Sequence, residues 1–196
     1  MRKIIFVVLL LTSMVQYGFS QVFIGGDVSF SYNNIERVDS DFNSLNIGIS
    51  PMLGVRFGNF DLGILFGYRF VSSTNSTSSW NIETTLSQID FGVFGDITVF
   101  RIDRFSVFGR GSLQYSISNA ENNISGLVST IIPEGTEQFL TISLAPMFEF
   151  QIFDNFTIFT GLGGIIYRHY FTDVDITNQF NISILTGLPI GFRFFF

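Results

Sequence analysis

The chain has 196 residues, a formal net charge of −6, one histidine and no cysteine. A disulfide framework and a thiolate metal site are therefore excluded, and the excess of acid argues against nucleic acid as a partner. The composition is apolar, at 46% with 26 phenylalanines, yet beyond residue 20 nothing approaches the ~18 consecutive apolar residues of a membrane helix.

Residues 1–20 begin with Arg2 and Lys3, continue through the apolar run 4–11 and end on the small residues Gly18 and Ser20. That is the pattern of a secretory signal peptide, with cleavage expected after Ser20. The other reading, an uncleaved anchor, is opposed by a run short of the ~20 residues that a spanning helix needs. Residues 21–196 then form one domain. Two of the ten basic residues leave with the leader, so eight arginines and no lysine face sixteen acids. Such a balance also disfavours adhesion to anionic lipid.

Eight alternating segments follow, at 21–32, 45–57, 60–72, 87–101, 105–118, 137–152, 155–169 and 181–196. Each reaches the ~9–11 residues of a tilted membrane-spanning strand. The connections alternate in length. Gly58-Asn59, Ile102-Asp103-Arg104 and Phe153-Asp154 are tight turns, whereas 33–44, 73–86, 119–136 and 170–180 are long and rich in Asn, Ser and Thr. A non-helical backbone in lipid must close on itself, because open edges leave amides unpaired. The expected fold is an all-β, eight-stranded antiparallel up-and-down transmembrane β-barrel, with short periplasmic turns and long extracellular loops. An even strand count puts both termini on the periplasmic side.

The faces differ in kind. In 45–57, Ile47, Ile49, Pro51, Leu53, Val55 and Phe57 oppose Asn46, Gly48, Ser50, Gly54 and Arg56. The bulky face would overfill an eight-stranded interior, so it is assigned to lipid, and the Gly- and Ser-rich face to the lumen. Phe57, Phe60, Phe100, Phe105, Phe153 and Phe156 fall at the short-turn ends, and Tyr32, Tyr68, Tyr115, Tyr167 and Tyr170 toward the long loops, as interfacial girdles would. A faint repeat places Pro51-Met52 and Pro146-Met147 before short turns, and Asn59-Phe60 and Asn155-Phe156 after them.

Charge on the polar face is sparse: Asp27, Arg56, Asp61, Arg69, Asp90, Asp96, Arg110, Glu149 and Arg193. Confined charges must pair, so a network of Arg–carboxylate bridges in the lumen is expected, Arg being suited to bidentate pairing. It either rigidifies the barrel or gates a narrow water path. His169 lies near Asp173 and Asp175, with Ser116, Ser118 and Ser183 toward the same rim. No spacing ties these into a nucleophile–base pair, so no catalytic residues, cofactor or metal site are assigned. The loop acids Glu36, Asp39, Asp41, Glu83, Glu121, Glu134, Glu137, Asp173 and Asp175 have no calcium-loop spacing. The third loop is unusually apolar, with Ile124, Leu127, Val128, Ile131 and Ile132, and either extends the strands or contacts a partner.

The last segment ends in three phenylalanines. Leu188, Ile190, Phe192, Phe194 and Phe196 share one face, opposite Arg193, Gly191, Gly187 and Ser183. This resembles the C-terminal strand of bacterial outer-membrane barrels, which closes the barrel and is read by the insertion machinery. The mature chain as a whole resembles the OmpA/OmpX-type small outer-membrane barrels, particularly the generic barrel-domain proteins of Bacteroidetes-like bacteria. The resemblance implies outer-membrane lipid, periplasmic chaperones and the insertion machinery as partners, and an extracellular partner through the long loops. It suggests membrane integrity, adhesion or slow solute passage without choosing among them. With the charge network and the lack of a nucleophile–base pair, the expected role is structural or surface-interaction, without enzymatic activity, the lumen being closed by Arg–carboxylate pairs. A small porin-like channel is the alternative, and an outer-rim lipid-modifying or hydrolytic enzyme a more distant one.

Overall fold

The computed structural model describes residues 20–36, 40–77, 80–126, 135–171, 178–184 and 189–196, and all ten of its regular elements are strands. They are β1 (Ser20–Glu36), β2 (Ser40–Phe57), β3 (Phe60–Thr77), β4 (Trp80–Ile102), β5 (Phe105–Gly126), β6 (Gly135–Phe153), β7 (Phe156–Gly161), β8 (Gly163–Tyr170), β9 (Asn178–Ile184) and β10 (Ile190–Phe195). β7 and β8 make the seventh stave of a ring of eight, and β9 and β10 the eighth. Sequence neighbours pair antiparallel throughout. β10 then closes onto β1, with Phe23 opposite Phe195 and Asp27 opposite Gly191. The chain is thus an up-and-down barrel of eight strands.

The tight turns are Gly58–Asn59, Asp103–Arg104 and Asp154–Asn155. Ile102 and Phe153 remain in their strands, one residue beyond expectation. Gly58 and Asp103 take positive φ, 60° and 47°, as the favoured two-residue hairpin turns do. The second carbonyl of each turn accepts a bond from an adjacent strand, at 2.8 Å in every case: Asn59 from the Thr98 N–H, Arg104 from Gln151, and Asn155 from Phe195. These bonds tie the short-turn end together.

The outer wall is apolar where a lipid-facing wall must be. Val99, Phe153, Ile190 and Phe196 are 77%, 66%, 65% and 74% exposed, and similar residues continue around the ring. The belt runs from the short turns up to the level of Tyr68, Ile89, Tyr115, Ile142 and Tyr167. A closed ladder inside an apolar belt is the architecture of a membrane-spanning barrel.

Beyond the belt the strands continue, where the sequence suggested loops. β4 has 23 residues, about 75 Å of chain at ~3.3 Å per residue, against an apolar band ~25 Å tall. The Asn-, Ser- and Thr-rich stretches stay paired out to Glu36 opposite Asp41, Ser76 opposite Asn81 and Trp80 opposite Gly126. Cross-strand side-chain bonds reinforce the ladder: Ser76 to Asn81 at 2.7 Å, and Thr84 to Asn122 and Thr136 to Asn119 at 2.8 Å. Polarity indicates where the wall leaves lipid; it does not end a strand. Leu127, Val128, Ile131, Ile132, Asp39, Glu134, Asp173, Asp175 and Leu188 lie outside the described residues, as do leader residues 1–19.

The two prolines of the repeat mark irregularities. Pro146 has no N–H. Opposite it, Ala145 and Pro146 face residues 162–164, with Gly163 at φ 106° and the Leu162 N–H bonded to the Pro146 carbonyl at 3.4 Å. This bulge divides β7 from β8. At Pro51 the β2–β3 ladder is interrupted between Ile49–Tyr68 and Met52–Leu65, with the register unchanged.

The interior corrects the expectation of a lumen face made only of small and charged residues. Phe23, Met52, Phe94, Phe108, Met147, Phe159 and Phe195 form a buried cluster. Tyr170 also belongs inside: its ring pairs with buried Phe139 at 5.2 Å, so it is not part of the outer tyrosine girdle.

Candidate functional site

The side chains that cross the lumen come from strand positions of one parity. Arg56 on β2, Asp61 on β3, Asp96 on β4, Arg110 on β5, Glu149 on β6 and Arg193 on β10 converge just above the short turns. Arg56 straddles Asp61 with two bonds of 2.8 Å, and its Nη2 lies 3.3 and 3.4 Å from the two Glu149 oxygens. Arg110 makes the same fork with Asp96, at 2.8 and 2.9 Å. Arg193 joins the two groups: it donates to Asp61 at 2.8 Å, to Glu149 at 3.1 Å and to Asp96. Three guanidinium ions thus meet three carboxylates, a neutral cluster, and Thr157 adds a hydroxyl bond to Glu149 at 3.1 Å.

Aromatic rings complete it. The Arg193 guanidinium lies 4.9, 5.0 and 5.1 Å from the centroids of Phe108, Phe159 and Phe23. Arg110 lies 4.8 Å from Phe94 and 5.0 Å from Phe159, and Arg56 lies 4.3 Å from Phe195. A cation held against ring faces in a dry setting is stabilised further. Arg193 is 0% exposed and Asp96 2%, so the middle of this cluster has no contact with solvent. Charge pairs and rings together fill the barrel's cross-section at this level.

Three of the nine lumen charges stand apart. Asp90 accepts bonds from Gln88 at 2.6 Å and from the Ser116 hydroxyl at 2.5 Å, and pairs with no arginine among the described residues. Asp27 is bonded to Ser50 and lies within electrostatic reach of Arg110 and Arg69. With Arg69 these residues line a cavity of about 370 Å³ on the long-loop side of the cluster, floored by Arg110, Met147, Ala145 and Leu65. The lumen therefore has a filled half and a hollow half.

His169 does not meet Ser116 or Ser118, and the Ser183 side chain lies outside what the structure describes. Ser116 and Ser118 are buried on the lumen side. His169 stands opposite Leu140 on the other parity, its Nδ1 2.9 Å from Asn178 Oδ1 and its ring edge-on to Phe171 at 5.2 Å. Among the described residues there is no group of His, Asp and Glu placed to hold a metal ion.

Sequence reading missed the phenylalanines between the charges. In Val22-Phe23-Ile24 and Ile158-Phe159-Thr160 both parities carry bulk, so alternation is silent there. The available signal was glycine. Gly54, Gly63 and Gly191 are inward positions on neighbouring strands, and Phe23, Phe94 and Phe159 respectively lie across them.

No protein-family model matches this chain, and neither does any curated protein sequence. Among solved structures it is similar to a major outer membrane protein from Thermus thermophilus, with a TM-score of 0.51 and 8% identity over 90% of this chain and 99% of that one. It also matches the translocator domain of the autotransporter NalP from Neisseria meningitidis (0.47, 10%, 95% and 92%). A third match is the attachment invasion locus protein Ail of Yersinia pestis (0.41, 12%, 90% and 97%). At 8% identity the likeness to the Thermus thermophilus protein is one of fold.

Proposed function

We propose that this chain is an integral outer-membrane barrel of the small generic type, with a structural and surface-contact role and a lumen closed at the level of its charge cluster. The observation that carries the proposal is Arg193, wholly buried where three carboxylates from β3, β4 and β6 converge. In this reading residues 1–20 are a leader removed on export, the short turns and both termini are periplasmic, and outer-membrane lipid is the solvent of the belt. The paired hairpins beyond the belt present the surface for an extracellular partner, and no catalytic step is assigned.

Purified barrel in planar lipid bilayers is expected to show no discrete conductance steps. Reproducible single-channel openings would overturn closure and favour the second reading, slow passage of small solutes. That reading draws on the 370 Å³ cavity, and requires the cluster to part.

The closing strand is proposed to carry the assembly signal. Ile190, Phe192, Phe194 and Phe196 face outward, with Arg193 and Phe195 turned in. Deleting Phe196 is expected to reduce the amount of barrel inserted in the outer membrane, while the purified truncated protein unfolds at nearly the same denaturant concentration. Normal membrane yield would remove the signal reading.

A further inference from the structure

The cavity above the charge cluster has chemistry that closure of the barrel does not use. Four charged groups line it: Asp27, Arg69, Asp90 and Arg110. Two are already committed. Arg110 is forked onto Asp96, and Asp90 takes bonds from Gln88 and Ser116. Arg69 is in no ion pair among the described residues, although every arginine of the cluster below it is in at least one. Asp27 is likewise in no ion pair among the described residues; the charge of Arg110, then Ser50 opposite it and the charge of Arg69, act on it. On the same wall the Asn46 amide oxygen is buried and accepts no hydrogen bond among the described residues.

The two uncommitted charges are held apart. Asp27 is on β1 and Arg69 on β3, with β2 between them: Asp27 pairs with Ser50, whereas Arg69 pairs with Gly48, two residues further along β2. Two strand spacings and a two-residue offset put their backbones about 12 Å apart. An acceptor pole and a donor pole therefore face one hollow without forming an ion pair among the described residues, and an unpaired buried acceptor costs free energy until a donor reaches it. Leu65 and Met147 supply apolar surface at the floor. The volume sits at the low end of the ~300–1,000 Å³ typical of small-molecule pockets.

We propose that this cavity binds a small zwitterion of the amino-acid or dipeptide class. Its carboxylate sits on Arg69, its ammonium group between Asp27 and the Asn46 oxygen, and a short apolar side chain against Leu65 and Met147. A simple anion would leave the acceptor pole unused, and a neutral sugar would leave both charges unmatched. The site holds whether or not the barrel conducts, because its polar groups Asp27, Asn46 and Arg69 lie above the filled half, with Leu65 and Met147 at the boundary.

Calorimetric titration of the full barrel in detergent micelles tests this, with glycyl-leucine as the probe. Saturable binding is expected, weakened about tenfold or more by N-acetylation or C-amidation of the probe, each of which removes one charge-assisted contact. Sucrose and acetate are expected to give no saturable heat. The charge-removing variants Arg69→Gln and Asp27→Asn are expected to lose a similar factor while keeping the parent's far-ultraviolet circular dichroism and gel migration. Absence of binding at millimolar glycyl-leucine would overturn the proposal, as would equal binding of the blocked probes. Tighter binding of acetate or sucrose would also overturn it. The blocked probes act on the unaltered protein, so the outcome does not depend on the variants folding.

Discussion

Replacing Arg193 by methionine is expected to lower the unfolding free energy of the barrel by about 3–5 kcal/mol, the usual result of removing one partner from a buried ion group. Asp61, Asp96 and Glu149 each use this guanidinium, and they are only 3%, 2% and 4% exposed. Without it, one negative charge of the cluster is left uncompensated away from water, and three rings lose the cation they surround. Arg193→Lys keeps the charge and loses the planar fork, so an intermediate loss is expected. Removing Arg101, which makes a 3.2 Å bond to Ser106 at the exposed turn end, is expected to change stability by less than ~0.5 kcal/mol. Urea unfolding in lipid vesicles, read by circular dichroism and gel migration, measures all three. A loss under ~1 kcal/mol for Arg193→Met, within the ordinary range of single substitutions, would mean that the cluster contributes little beyond filling space.

Enlarging Gly191 is the second severe change. A Cβ built there meets three ring carbons of Phe159, all within 2.6 Å, closer than side chains approach. Phe159 cannot retreat freely, because the guanidinium groups of both Arg110 and Arg193 lie about 5.0 Å from its centroid. Gly191→Val is therefore expected to cost about 3 kcal/mol or more, at or above the upper end of overpacking effects. Gly109 gives the contrast, since a Cβ there has no neighbour within 4 Å, and Gly109→Val is expected to be tolerated. Pairing Gly191→Ala with Phe159→Leu should recover part of the loss by shortening the obstructing ring. Equal unfolding midpoints for Gly191→Val and Gly109→Val would refute this account of the interior.

Alternation in segments such as 45–57, together with the unequal connections, made the strand order and the lipid-facing wall legible. Those signals are local, and the fold repeats them eight times. The hairpin extensions were less legible, because Asn, Ser and Thr suit a loop in water and an exposed ladder about equally. Ser76–Asn81 and Thr84–Asn122 depend on which strands face each other. The same holds inside. The sequence identified Arg56 and Arg193 as lumen charges, but their shared use of Asp61 and Glu149 joins strands remote in the chain. The phenylalanines among them were hidden because Phe23 and Phe159 are flanked by apolar residues of the opposite parity.

The position of Arg193 also bears on how the ring finds its correct closure. Among the described residues β10 meets β1 over six residue pairs, Phe23–Phe195 to Val28–Ile190, and this seam joins the first and last strands. A slip of one residue would turn Arg193 toward lipid and Phe192 or Phe194 inward. A slip of two would keep the faces but carry the guanidinium about 7 Å along the strand, away from the oxygens of Asp61, Asp96 and Glu149. Only one alignment lets the final strand satisfy three acids already brought together by strands made earlier. The cluster can thus discriminate a correctly joined barrel from its near misses, acting as a proofreading contact at the last step of assembly.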